Sequence, residues 1–185
     1  MNDVKPKLVV LCGFPCSGKS TLAKNLSEDC GFVILNPDSI RQEMGYSFNP
    51  FIEDCAERER LEFYELEEIM LHTINLRKHQ SILQGKNVVV DSCAIYEKTR
   101  ENFLFSPMAK KYLVYLEVEK NVLMQRNKEK NLKDFEKSFE ILKRKYWQEP
   151  APSSNYVFLK FANNGWDDYK AMFEKVKKTV FNDEI

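Results

Sequence analysis

Residues 9–21 read VVLCGFPCSGKST, an apolar run that breaks into glycine, proline and small polar residues and then resumes as a helical pattern. Gly13, Gly18, Lys19 and Ser20 satisfy G-x-x-x-x-G-K-[ST]. A buried strand ends at Cys12 and a helix starts at Lys19, which is the strand–loop–helix context the pattern requires. The physics follows from the residue types. Glycines let successive N–H groups turn inward as an anion nest, in a loop that also contains Cys16 and Ser17. The helix N-terminus adds a favourable dipole. Lys19 can reach the β- and γ-phosphates, Ser20 can place its hydroxyl on Mg²⁺, and Thr21 backs it. Pro15 stiffens the loop. Cys16 sits where a helix dipole could lower a thiol pKa, although a small residue filling its place explains it as well. A nucleoside triphosphate is the expected ligand.

Working outward from the loop, short apolar runs alternate with longer amphipathic ones. Strands are expected at 7–12, 32–36, 86–91, 111–118 and 155–161, as continuous runs of the kind found in strands covered on both faces. Helical patterns occupy 19–29, 53–84, 96–110, 119–128, 134–147 and 167–180. In the longest of these, Leu66, Ile69, Met70, Thr73 and Leu76 recur at helical spacing, and Gly85 supplies a stop. Alternation of strand and helix implies right-handed crossovers and a parallel sheet. The expected fold is α/β, a three-layer sandwich with about five parallel strands. The proline-containing QEPAPSSN (148–155) reads as a loop, so residues 1–185 are expected to form a single domain.

Composition narrows the function classes. The chain has 185 residues, 43% of them hydrophobic, with 28 basic and 28 acidic side chains. A net charge of zero provides no basic field for non-specific nucleic-acid binding. The charge is uneven, however. Residues 51–70 carry eight acids and two arginines, while residues 119–148 carry nine bases and five acids. The acidic segment reads as solvated helix face. The basic one reads either the same way or as a rim over the phosphate site. Five cysteines without a C-x-x-C pair, and two histidines, argue against a disulfide framework or a zinc site. Reduced thiols and the lack of a long apolar run lead us to expect a cytoplasmic protein with no membrane partner.

Directly after the second strand comes LNPDSIRQEMG, residues 35–45. Asn36 can cap a helix with Pro37 at its first position. Asp38 and Arg41, three apart, then share one face. Parallel strands put their C-terminal ends on one edge, so the phosphate loop and this pair meet across one crevice. A carboxylate there suits an alcohol acceptor, because it can take the hydroxyl proton as the oxygen attacks. Arg41 can grip an acceptor's own phosphate or hold the aspartate.

GFPCSGKST, NPDSIRQ with its D-x-x-R, VVVDS and QRNKEK stand in an order that resembles the P-loop kinases typified by bacteriophage-type polynucleotide 5′-hydroxyl kinases and phosphoseryl-tRNA kinases. The resemblance covers residues 7 to about 150 and implies a P-loop NTPase sandwich. It implies Asp38 as general base and Arg41 as a contact to substrate phosphate. It places Asp91 and Ser92, at the end of the third strand, at the acceptor, with Asp91 able to assist Mg²⁺ through water. Cys93 stands where the family often has asparagine, and Arg100 falls where members often carry arginine. The resemblance further implies a basic helical lid at about 122–135. Its Arg126 and Lys130 would close on the triphosphate as charge develops.

The expected activity is transfer of the γ-phosphate of ATP, with Mg²⁺, to a hydroxyl. The first candidate acceptor is the 5′-OH end of DNA or RNA. A seryl-tRNA, a small hydroxylated metabolite, or an ATP-binding regulatory role without fast transfer are the alternatives. Phe14, Tyr46 and Phe48 are candidates for stacking on bases, and the aromatics of YWQEP (146–150) are expected to serve packing.

Overall fold

The computed structural model describes residues 5–182. Five strands form one sheet: β1 (Lys7–Cys12), β2 (Val33–Leu35), β3 (Val88–Val90), β4 (Lys110–Glu117) and β5 (Val157–Ala162), in the order β2-β3-β1-β4-β5. Every pairing is parallel. The α/β expectation therefore holds, with the five runs in their expected places. The central strands are fully buried because helices cover both faces, but β5, at the edge, is only half-buried and alternates toward exposure.

Successive residues of β1 point to opposite faces, and each face has its own core. Leu8, Val10 and Cys12 pack with Val88, Val90, Leu113, Ile40, Met70, Ile74 and Phe103. The helices on this side are α2 (Pro37–Glu43), α3 (Glu57–Leu83) and α4 (Glu97–Leu104). Val9 and Leu11 pack on the other side with Leu22 and Leu26 of α1 (Lys19–Cys30) and with Met172 and Val176 of α7 (Trp166–Asn182). The result is three layers with the carboxyl ends of all five strands on one edge.

A third, smaller core sits above that edge. Leu123 of α5 (Lys120–Lys130) and Phe135 and Phe139 of α6 (Phe135–Ile141) gather around Cys16 and Phe14 of the loop after β1. The expected helix at 134–147 continues past α6 as a wider π-helical turn, Leu142–Tyr146. The expected helix at 53–84 is instead broken: a short 3₁₀ turn, Ile52–Asp54, precedes α3.

The inward face of α3 also differs from the one expected. Phe63, Met70, Ile74, Lys78 and Ile82 are buried, whereas Ile69 and Leu76 are more than half exposed. The sequence holds two interleaved apolar stripes, and the one containing a lysine goes inward. Lys78 is 1% exposed. It donates to Asn75 Oδ1 at 2.7 Å and to the carbonyls of Asn102 and Phe103 at 3.0 and 2.9 Å. It thus satisfies the open carbonyl end of α4.

Candidate active site

The loop between β1 and α1 is built on conformations that only glycine takes freely. Gly13 has φ +145° and Gly18 φ +98°. A Cβ on Gly13 would lie 2.6 Å from the Leu116 carbonyl oxygen, and one on Gly18 would lie 2.6 Å from Nδ2 of Asn163. Cys16 also has positive φ, 65°. Lys19, 6% exposed, curls back to donate to the Phe14 carbonyl at 2.7 Å and to Ser17 Oγ at 3.2 Å. Ser20 and Thr21 are exposed on the first turn of α1.

Two further contacts brace the loop. Asn163, in the turn after β5, donates from Nδ2 to the Ser17 carbonyl at 2.8 Å. Its Oδ1 is buried and meets no hydrogen-bond partner among the described residues. Arg126 of α5 donates to the Cys16 carbonyl at 3.3 Å and to the Asn163 carbonyl at 2.9 Å. The expected lid arginine is therefore seated on the phosphate loop. Lys130, exposed at the end of α5, is the cation with the largest pull on the Cys16 thiol. Asn163 carried no motif and was not expected; only the fold brings it to residue 17.

Cys16 does not have the activated thiol that the helix dipole suggested. Burial raises its pKa, against the pull of Lys130, Lys19 and Arg126. Its side chain packs between the loop and the α5–α6 helices. The basic segment is likewise only partly a rim. Lys120 is paired with Glu136 and Glu140, and Lys137 lies over the Phe51 ring, so these charges are engaged within the protein itself.

On the other side of the crevice, Asn36 caps α2 as expected, accepting from the Ser39 N–H at 3.0 Å, with Pro37 at the first helical position. Asp38 is exposed and Arg41 faces inward. Arg41 Nη1 donates to Asp38 Oδ1 at 2.5 Å. Its stronger engagement is with Glu67 of α3: Nε to Oε1 at 2.6 Å and Nη2 to Oε2 at 2.7 Å, a bidentate fork. Tyr46 donates its hydroxyl to the same Oε1 at 3.0 Å. Burial works against the guanidinium charge, but hydrogen bonds and charge from Glu67, then the charge of Asp38, hold its pKa above the ordinary arginine value. The Phe48 ring covers the guanidinium, 5.2 Å from its carbon. Glu67 is the site residue that sequence reasoning missed, hidden within the acidic run.

At the end of β3, Asp91 is buried and accepts from Asn36 Nδ2 at 3.1 Å. Ser92 Oγ accepts from the Ala94 N–H at 3.1 Å, closing a tight turn. Burial raises the pKa of the Cys93 thiol, against the pull of the Lys19 charge and together with the charges of Asp38 and Asp91. Arg100 is buried and donates to the carbonyls of Ala94 and Ile95 at 3.0 and 3.2 Å, so it fixes the turn that carries Ser92 and Cys93.

These elements enclose a cavity of about 460 Å³. Asp38, Arg41, Gln42, Glu67, Ser92 and Thr99 are among its polar lining, Phe48, Met70, Ile95, Tyr96 and Phe103 among its apolar lining, and Pro15 of the loop also borders it. Of the three candidate stacking aromatics, Tyr46 and Phe48 line it, while Phe14 is committed elsewhere. The Phe14 ring is stacked on Trp147 at 4.5 Å and packed on Phe139 at 4.7 Å. Trp147 packs as expected, with Tyr115 at 5.6 Å.

A family model described as an AAA domain matches residues 8–146. Among solved structures, a putative kinase from Chloroflexus aurantiacus J-10-fl superposes with TM-score 0.68 at 15% identity, covering 96% of this chain and 97% of that one. A gluconokinase from Sinorhizobium meliloti 1021 gives TM-score 0.61 at 16% identity, over 98% and 99% of the two chains. The Mycobacterium tuberculosis APS kinase in complex with AMPPNP and APS gives 0.59 at 14%, over 94% and 97%. Among the described residues no helix is long and apolar enough to cross a membrane.

Proposed function

The chain belongs to the AAA domain family, and from that premise we propose that it transfers the γ-phosphate of ATP to a hydroxyl group. One observation carries the reading: Asp38 and Ser92 line the same cavity as Pro15 of the phosphate loop, so an acceptor-side carboxylate stands beside that loop. An ATP-binding regulator without transfer would have no use for an acceptor-side carboxylate.

The residues present fit a triphosphate with Mg²⁺. The Gly13 and Gly18 positions leave a cradle that a Cβ would crowd, and the Ser20 hydroxyl stands free at the first helical turn. Gly13, Cys16, Ser17 and Gly18 would hold phosphate oxygens through the loop backbone, and Lys19 through its ammonium. Ser20 would give Mg²⁺ one oxygen, and Thr21 would support that turn. The ion would neutralise charge on the phosphates when bound. Residues 1–185 act in this reading as one kinase domain, with 122–135 as its lid.

The chain's own contribution is positional and acid–base. Asp38 accepts the hydroxyl proton of the acceptor, Ser92 and Asp91 border the hydroxyl, and Arg41 holds Asp38 in place. Arg126 and Lys130 shift from backbone carbonyl and solvent to the phosphates as the lid tightens, where preorganised cations act most strongly.

A cavity of about 460 Å³, within the range of small-molecule sites, favours a small hydroxylated acceptor over the polynucleotide 5′ end and over a seryl-tRNA. The test is transfer of label from γ-labelled ATP, in Mg²⁺, to small alcohols, to 5′-OH DNA and RNA oligomers, and to seryl-tRNA. Labelled small alcohol that disappears in Asp38→Asn, with ATP binding intact, supports the reading. Label on the oligomers alone would restore the polynucleotide acceptor, and ATP bound with no label on any acceptor would overturn the kinase.

A further inference from the structure

We infer that the acceptor is a compact, unphosphorylated alcohol with a flat aromatic ring, such as a nucleoside, and that Glu67 is the residue that excludes phosphorylated acceptors. The inference rests on the kinase reading for its chemistry, but its argument is the state of Arg41.

Arg41 is the cation in the wall of the acceptor cavity that could grip an acceptor phosphate beside Asp38. A guanidinium has five N–H donors. Three are committed: two to the Glu67 carboxylate at 2.6 and 2.7 Å, one to Asp38 at 2.5 Å. Phe48 covers the guanidinium, and Tyr46 holds the far side of the Glu67 carboxylate. A fork-to-fork arginine–carboxylate pair already has the geometry an arginine would offer a phosphate. The side chain of Glu67 is 18% exposed and that of Arg41 11%. Breaking so sheltered a pair would leave an uncompensated carboxylate.

Charge points the same way. Asp38, Arg41 and Glu67 together carry a formal charge of −1, so an acceptor bearing phosphate would meet net repulsion at this end of the cavity. The rest of the lining is mainly apolar and aromatic, including Phe48, Tyr96, Phe103, Met70 and Ile95, with Gln42, Ser47 and Thr99 among it. Such walls favour a flat ring whose hydroxyl reaches Asp38, and they offer little to an extended polyol.

The test compares pairs that share one hydroxyl and differ by a phosphate. Adenosine and thymidine are set against their 3′-monophosphates, with glycerol as a ring-free control. Binding is measured calorimetrically with a non-hydrolysable ATP analogue present, and transfer is measured separately with γ-labelled ATP. The expected result is at least tenfold tighter binding of each nucleoside than of its 3′-monophosphate and of glycerol. In Glu67→Gln that ratio should fall at least tenfold as the Arg41 fork is freed. Tyr46→Phe, which removes one hydrogen bond, should move it in the same direction by less, and keeps the test open should Glu67→Gln misfold. Equal or tighter binding of the 3′-monophosphates, a ratio unmoved in both variants, or no nucleoside binding overturns the inference. Nucleoside preference in binding with no transfer to any alcohol would leave this inference standing and overturn the kinase reading.

Discussion

Glu67, near the middle of α3, holds Arg41 of α2 through two parallel hydrogen bonds of 2.6 and 2.7 Å, although the two residues lie 26 positions apart. The pair joins two helices in the wall of the cavity, and in the proposed reading it makes the inner face of α2 a braced support for Asp38. Cutting it by Arg41→Ala should cost stability as well as activity, because the half-buried Glu67 would lose its cation beside Tyr46. Loss of about 3 kcal/mol is expected, read from urea denaturation. The double variant with Glu67→Leu should recover much of that stability without recovering transfer.

Asp38 is exposed and makes one ion pair, so Asp38→Asn removes a charge and little packing. Transfer to the acceptor should fall by about 10²–10⁴, the contribution of a positioned base. Thermal stability should change little, and the ATP dissociation constant should stay within about threefold. Stopped-time label transfer and calorimetry check the two halves independently.

Arg126 bridges the loop and the turn after β5 through two carbonyls. Arg126→Ala should lower kcat by about 10²–10³ while raising the ATP KM only a few-fold. Arg126→Lys should restore little, since one ammonium cannot span both carbonyls in the same plane.

Substituting Gly13 by alanine forces a side chain into a φ of +145° with a backbone oxygen 2.6 Å away. About 2 kcal/mol of stability should be lost from strain alone, visible as a lower denaturation midpoint, and nucleotide binding should be lost with it.

Lys78 gives stability a pH signature. Burial lowers its pKa from the ordinary 10.5 to about 8. The cost of burying the cation is fully present below pH 8. Between pH 8 and 10.5 the folded chain has released the proton while the unfolded chain still holds it, so this residue's contribution makes stability rise with pH across that window. A gain of about 1–3 kcal/mol is expected relative to Lys78→Met, which lacks the titration. Denaturation of both proteins at several pH values from 7 to 10 decides it. Parallel curves would show that the three carbonyl-type acceptors keep Lys78 charged.

The legible part of this molecule was the part written in local pattern. Strand runs, the glycine loop, the Asn36–Pro37 helix start and the D-x-x-R pair each depend on residues within a few positions of one another, and each stands where expected. What could not be read depends on residues brought together by the sheet. Glu67 is one glutamate among several on an acidic helix until α2 packs against α3. Asn163 is an unremarked loop residue until β5 docks on β4. The phase of α3 was misjudged because its buried stripe contains Lys78, which hydropathy alone assigns to solvent. Phe14 looked free for stacking because its neighbours in space, Phe139 and Trp147, are more than a hundred residues away.

That aromatic stack also makes the molecule its own indicator. The chain has two tryptophans. Trp147 rests on the Phe14 ring inside the phosphate loop. Trp166 begins the helix immediately after the Asn163–Gly165 turn and stacks on Tyr169 at 5.3 Å. One emitter therefore touches the loop that would close around phosphate, and the other adjoins the turn that braces it. Ligand arrival should be visible as a change in ultraviolet emission without any attached dye, and replacing either indole by phenylalanine would separate the two signals.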